Sequence, residues 1–246
     1  MAKQGGMGDR LFIAGYDYTG DIGSVGRVGG GCSTQEVPGI DKSAQERIGL
    51  LRDGGIEFGS YFNPTALMSH DRLSLLPTTD VDLMYCRGIA LGGPAASMTA
   101  KQANYDGNRG EDGSFTLAVN ALANGYGLEW GNLLTAGKRT DTTATSPATG
   151  IDTLASASFG AQAYLQVFAF TGTSVTVTIQ DSADNSSFAS VAGLAFTAAT
   201  GITTQRLAIS NTATVRRYIR AITTGTFSNA VFAVMVVKNE IAGQVF

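Results

Sequence analysis

Only one stretch of this chain, from Asn63 to Pro77, has the spacing of an amphipathic helix, and that scarcity constrains the fold more than any other feature. Asn63 suits an N-cap, and Pro64 falls at the first helical position, where its missing N–H costs nothing. Leu67, His70, Leu73 and Leu76 recur at about one turn before Pro77 stops the run, which predicts a helix of roughly three turns laid against a sheet. The remaining chain is punctuated by most of its 32 glycines, so its core has to come from strands. At 246 residues there is room for one large β domain or two small ones.

The first part reads as follows. Gly15 to Gly39 holds eight glycines and suits a looping arm with short strand segments. Asp53-Gly54-Gly55 reads as a turn before a short strand from Ile56 to Tyr61. Val81, Leu83 and Tyr85 alternate with Asp82, Met84 and Cys86; Gly92-Gly93-Pro94 supplies a turn, and Ala96 to Asn104 returns as a second strand. The polar loop from Tyr105 to Gly113 leads into the clearest alternation, with Phe115, Leu117 and Val119 on one face and Ser114, Thr116, Ala118 and Asn120 on the other. The first face is built for a core beneath the helix. The second, small and polar, suits water or a lumen.

Gly137 to Gly150 is rich in Thr, Gly and Ala with no apolar period and marks a boundary. The expected division is a first domain over 1–140, a linker over 141–155 and a second domain over 156–246. Beyond the linker, short strands are expected at Ala163 to Phe170, Val175 to Gln180, Phe188 to Val191, Gln205 to Ile209, Arg216 to Ile222 and Val231 to Val237. Thr171-Gly172, Asp181 to Ser186, Asn211-Thr212 and Thr224-Gly225 are the turn signals between them, and this spacing predicts a small β-sandwich. The fold class expected is therefore mainly β, a β-rich α+β chain with one packed helix.

Charged residues make up 15% of the chain against the usual quarter, so surface self-repulsion is low, as suits a protein packed against neighbours. The net charge of −3 lies in the first 140 residues, with twelve basic against fifteen acidic side chains; the rest balances. Neither part has the basic footprint of a protein that grips nucleic acid. The start lacks the apolar core of a signal peptide, and the longest apolar run, Ala230 to Val237, is far short of the roughly 20 residues of a spanning helix. No membrane association is expected. Cys32 and Cys86 make no disulfide framework and are expected as free thiols.

The search for chemistry returns no catalytic, metal-binding or cofactor-binding residue to nominate. His70, the only histidine, falls on the apolar side of the expected helix and reads as a packing residue. Gly23-Ser24-Val25-Gly26 lacks the glycine two before the serine that a nucleophile elbow needs. Gly131 to Lys138 resembles a phosphate loop, but its first glycine is one position too far away and Arg139 stands where Ser or Thr would hold magnesium. Asp181 to Asn185 has oxygens suited to calcium, yet its spacing fits a hairpin turn better than an EF-hand. Arg216, Arg217 and Arg220 fit an inter-subunit salt-bridge row or a solvated face, with anion or glycan binding as the alternative. The chain is therefore expected to be a binding or building protein rather than an enzyme.

The run Leu75 to Ile89, with Ala95 to Asn104, Asp112 to Asn120 and Tyr126 to Gly131, resembles major tail or tail tube proteins of long-tailed, siphovirus-like bacteriophages, especially those of actinobacteria. The resemblance covers most of the chain up to about Gly137. The part beyond the linker is similar to the outer immunoglobulin-like or jelly-roll-like β-sandwich that many of these proteins carry. What the resemblance implies is a structural virion protein, assembled in the host bacterial cytoplasm. Six copies would form a ring with a continuous inner β-barrel and a helix packed outside it, and rings would stack around a tape-measure protein. Tail terminator and baseplate or distal tail proteins are the other partners implied, and DNA would pass the lumen during ejection without specific binding. On this reading Ser114, Thr116 and Asn120 line the lumen and Phe115, Leu117 and Val119 pack beneath the helix. Tyr105, Asp106, Arg109, Glu111 and Asp112, with the glycine-rich arm, are the candidates for inter-subunit or inter-ring contact. The alternative from another class is a glycan-binding, host-adhesion minor tail protein with a lectin-like sandwich.

Overall fold

The computed structural model describes residues 5–243, and they are mainly β. In chain order the elements are β1 Arg10–Ile13, β2 Tyr16–Asp17, β3 Ile22–Glu36, β4 Arg47–Tyr61, α1 Ser69–Leu73, β5 Val81–Cys86, β6 Pro94–Gln102 and β7 Asp106–Arg109. There follow β8 Phe115–Ala123, β9 Glu129–Leu133, β10 Arg139–Asp141, β11 Ile151–Asp152, β12 Ala161–Ser182, β13 Ala189–Ala195, β14 Thr203–Ala208 and β15 Tyr218–Lys238. The strands join one branched sheet that does not close into a barrel within the chain. Its main path runs β13-β12-β15-β9-β6-β5-β1-β2, and β8, β4 and β3 branch from β6.

The centre of this sheet is covered twice. Leu83 and Tyr85 of β5, with Ala96 and Met98 of β6, join Ile56, Phe58 and Val119 in one core. Met84, Cys86 and Ala95 face the other way, with Phe12, against Tyr164, Ala233, Met235 and Val237 of β12 and β15. The alternation over Val81 to Cys86 thus separates two cores, not a core from water. Gln166, fully buried, fastens the layers by accepting from Gly15 N (2.7 Å) and donating to the Asp82 carbonyl (2.8 Å).

Two expected turns in the second part are bends inside long strands. β12 and β15 have 22 and 21 residues and pair antiparallel along their length, from Ala161 with Lys238 to Ser182 with Tyr218. Thr171-Gly172 lies where the register slips, and Thr224-Gly225 pairs in register with Thr176 and Val175 just beyond the slip. Gly172 and Gly225 have φ of 149° and 119°, and a Cβ there would lie 2.4 Å from Phe227 Cα and 2.3 Å from the Ser174 carbonyl oxygen, respectively. Only glycine allows that approach, so the ribbon bends and continues. Leu165 and Val167 before the bend and Val177 and Ile179 after it meet Leu194 and Phe196 in one core.

The sheet also runs across the expected boundary near residue 140. Asn132 of β9 pairs with Val236, Thr140 of β10 with Val231, and Asp152 of β11 with Tyr218. Thr145 and Thr223 exchange backbone hydrogen bonds of 3.2 and 2.9 Å, so the segment 141–155 is laid along β15.

The helix is shorter than its spacing predicts. α1 has five residues, and Met68, not Asn63, precedes it, with no side-chain cap. Asn63 spends its oxygen on Thr65 N (3.1 Å) and its amide on Asp21 (2.8 Å). Leu67, with φ of 67°, interrupts any helix continuing from Pro64.

Candidate assembly surfaces

Two glycine-rich places, one read as part of a looping arm and one as a turn, instead shape one projecting ribbon. β3 and β4 pair from Ile22 with Ser60 to Glu36 with Arg47. Gly29 faces Gly55 and Gly30 faces Gly54 across that ladder, where the ribbon passes over Leu128. A Cβ on Gly54 would lie 2.6 Å from Leu128 N, and one on Gly30 would lie 3.0 Å from Leu128 Cβ. The glycines therefore permit a close crossing, after which the ribbon leaves the body. Every residue from 30 to 53 is exposed. Seven strand residues beyond the crossing carry the arm roughly 23 Å outward at about 3.3 Å each. Val37, Ile40, Ile48, Leu50 and Leu51 stand exposed on it, Leu51 at 85%. Ion pairs Arg47–Glu36 (3.0 Å) and Lys42–Glu46 (3.3 Å) brace its end.

Below the crossing, the sheet presents a face of small polar side chains. In β8, Thr116, Ala118 and Asn120 stand opposite Tyr61, Gly59 and Glu57 of β4. Arg27 of β3 completes the face through an exposed ion pair to Glu57 (3.7 Å). Thr116 and Asn120 are half-buried, and Ser114 is exposed just before the strand. On the reverse face Leu117 and Val119 are buried, and Val119 shares a core with Leu73 of α1. Phe115 is 40% exposed and meets Phe62 edge-on at 5.5 Å. Phe62 in turn packs on His70 (4.4 Å), whose Nδ1 bonds the Tyr105 hydroxyl at 2.8 Å. Burial raises the Tyr105 phenol above its ordinary pKa.

The segment expected as a plain loop forms a hairpin, with β7 paired to β8 from Asp106 with Ala118 to Arg109 with Phe115. Its turn is held by Gly110 N to the Ser114 carbonyl (2.8 Å) and Ser114 N to Asp112 (3.0 Å). Hydrogen bonds from the Ser114 side chain and backbone hold the Asp112 carboxyl below its usual range. Asp106, Arg109, Glu111 and Asp112 are all exposed.

The remaining candidates are absorbed by the chain itself. Arg216 binds Asp181 through Nε (2.7 Å), and Arg217 makes a two-pronged pair with Asp152 (2.7 and 2.6 Å). Arg220 bonds Gln180 and stacks on Phe188 at 3.9 Å. No inter-subunit row is needed to pair them. Asp184 accepts from Ser186 N and Ser187 N, an ordinary turn. Lys138 pairs with Asp17 at 2.6 Å. Cys32 and Cys86 are free thiols, one exposed and one buried. Among the described residues, no three His, Cys, Asp or Glu side chains gather as metal ligands, and no helix is long and apolar enough to cross a membrane.

One cluster carried no local signal in the sequence. Glu129 of β9, fully buried, accepts from Arg206 (2.7 Å) and the Tyr164 hydroxyl (2.6 Å). Arg206 also bonds Tyr164 (2.9 Å) and lies 3.6 Å from the Tyr126 ring centre. Burial, then the charge of Glu129, pushes the Tyr164 phenol up. The partners lie 35 and 77 positions apart and lock β9 to β12 and β14.

No family model matches the sequence, and no curated protein matches it. Among solved structures, the chain is similar to one from the virion of a native gene transfer agent particle, at 14% identity and a TM-score of 0.41 over 52% of this chain and 98% of that one. It is also similar to the SPP1 Dit protein, described as a hub adsorption apparatus of phages infecting Gram-positive hosts (12%, TM-score 0.32, 94% and 99% covered). A chain of the phage p2 baseplate gives 9% and 0.34, with 95% and 99% covered. At these scores the likeness carries no argument about function.

Proposed function

We propose that this chain is a non-enzymatic subunit of a bacteriophage tail tube, in which six copies close a ring and rings stack. The observation that carries the reading is the arm. A 24-residue stretch is exposed throughout and bears five large aliphatic side chains, which a lone protomer would leave in water. The strand edges support it too, since among the described residues β3 pairs only with β4 and β7 only with β8. Open edges are templates for another chain, and closure between copies removes them. On this reading the face of Thr116, Ala118 and Asn120 lines a lumen for the tape-measure protein and then DNA. Tail terminator and baseplate proteins cap the two ends.

Negative-stain electron microscopy across a concentration series tests this. Rings or hollow tubes are expected. Isolated monomers at every concentration, with and without a preformed tube end as initiator, would sink the reading.

A further inference from the structure

Resting on that reading, we infer that the β7–β8 hairpin tip of one copy docks into a cationic pocket on the β3 edge of the next copy. The pocket is a cavity of about 320 Å³ along Ile22 to Val25 of β3, walled by Arg10, Tyr85 and Arg87. Its one carboxylate is already used. Asp9 accepts from Arg87 Nη1 (2.6 Å), from Gly88 N (3.1 Å) and from the Tyr85 hydroxyl. Arg10 makes no ion pair among the described residues, so the pocket keeps one uncompensated positive charge.

The hairpin tip has the complementary imbalance. Glu111 and Asp112 outnumber Arg109, and Glu111 makes no ion pair among the described residues. The tight turn from Gly110 to Ser114 fixes the tip's shape before contact, which limits the ordering cost of binding.

The sheet decides which copy supplies the tip. Ile22 pairs with Ser60, Ser60 with Leu117, and Leu117 with Gly107, so pocket and tip lie at the same end of the order β3-β4-β8-β7. They sit at opposite edges, three strand spacings or roughly 14 Å apart. A tip on one edge and its receptor on the other is a heterologous contact, the kind that closes rings when repeated. The contact also sets a β7 edge beside a β3 edge.

Charge reversal tests it on the full chain, with assembly followed by sedimentation velocity and electron microscopy. Arg10→Glu and Glu111→Arg should each raise the concentration needed for ring formation by about tenfold or more, and the double variant should recover most of that loss. Circular dichroism and thermal melts establish that each variant folds. If Arg10→Glu does not fold, Arg10→Gln and Glu111→Gln serve instead: wild-type assembly should weaken as salt rises, and both variants should lose much of that dependence. Rings that form equally well in both single variants, or a double variant no better than the worse single, overturn the docking while leaving the tube intact. A wild-type protein that never assembles removes both.

Discussion

Strand β5 and the outer half of β4 belong to one sheet, yet one hides both faces and the other hides neither. Leu83 and Met84, neighbours in β5, are 1% and 0% exposed in two different cores. Leu50 and Leu51, neighbours in the arm, are 46% and 85% exposed. Both places carry large apolar side chains at adjacent positions. What differs is whether this chain supplies a cover, and for the arm it does not. The central sheet therefore accounts for the fold of one copy, and on the proposed reading the arm serves contacts between copies.

The sharpest way to break that comparison uses one kind of interaction, made once under cover and once on open surface. Glu129–Arg206 is buried, with side-chain exposures of 0% and 8%, whereas Glu57–Arg27 on the open face is about half exposed at each end. Glu129→Ala leaves a buried guanidinium without its carboxylate and should cost about 3–5 kcal/mol in urea unfolding. Glu57→Ala should cost less than about 1 kcal/mol, since water already screens that pair. Equal losses would mean that the two regions are not distinguished by burial.

Glycine gives a second contrast. Gly172→Ala and Gly225→Ala place a Cβ against backbone at positive φ and should each cost roughly 1–3 kcal/mol. Gly26→Ala on β3, whose nearest neighbour is the Glu57 carbonyl oxygen at 3.8 Å, should change stability by less than about 0.5 kcal/mol. If the first two prove neutral, the bend in β12 and β15 does not depend on glycine.

The same contrast explains what the sequence made legible. The alternation is readable from Thr116 to Asn120 because Leu117 and Val119 meet a core and the other face does not, while Phe115, 40% exposed at the strand's start, departs from it. Val81 to Cys86 looked similar and meant something else, since both its faces are covered by strands distant in sequence. Glycine pairs at 29–30 and 54–55, and the single glycines at 172 and 225, carry the signature of turns because a tight turn and a close backbone approach ask the same thing of a residue. Local sequence cannot tell the two apart. Among the candidate contact residues, Glu111 and Asp112 announce themselves as residues of a polar loop, whereas the pocket walled by Arg10 and Arg87 exists only once β1, β3 and β5 are brought together.

Removing apolar surface from the arm should separate folding from assembly. Leu50→Ser with Leu51→Ser replaces side chains that the chain leaves 46% and 85% exposed, so unfolding stability at concentrations below assembly should move by less than about 0.5 kcal/mol. Ring or tube formation should be lost at concentrations where wild-type protein assembles. A variant that assembles normally would return the arm to mere ornament; one that melts several degrees lower would show that the arm folds against its own body.

The smallest effect is chemical, and each region provides its own probe. Cys32 lies exposed in the arm and Cys86 is fully buried beneath β12 and β15. Burial, with the nearby Asp17 and Asp9 charges adding to it, pushes the Cys86 thiol up to about 12. The thiolate is the reactive species, so at pH 8 Cys86 is protected both by its missing anion and by its cover. A maleimide should label native protein once per chain, at Cys32, and denatured protein twice. Assembly should then slow labelling of Cys32 if the arm is covered by a neighbouring copy, while Cys86 stays silent in both states. Labelling of Cys86 in native monomer would mean that β12 and β15 open away from the central sheet, and the two regions would no longer differ as the structure requires.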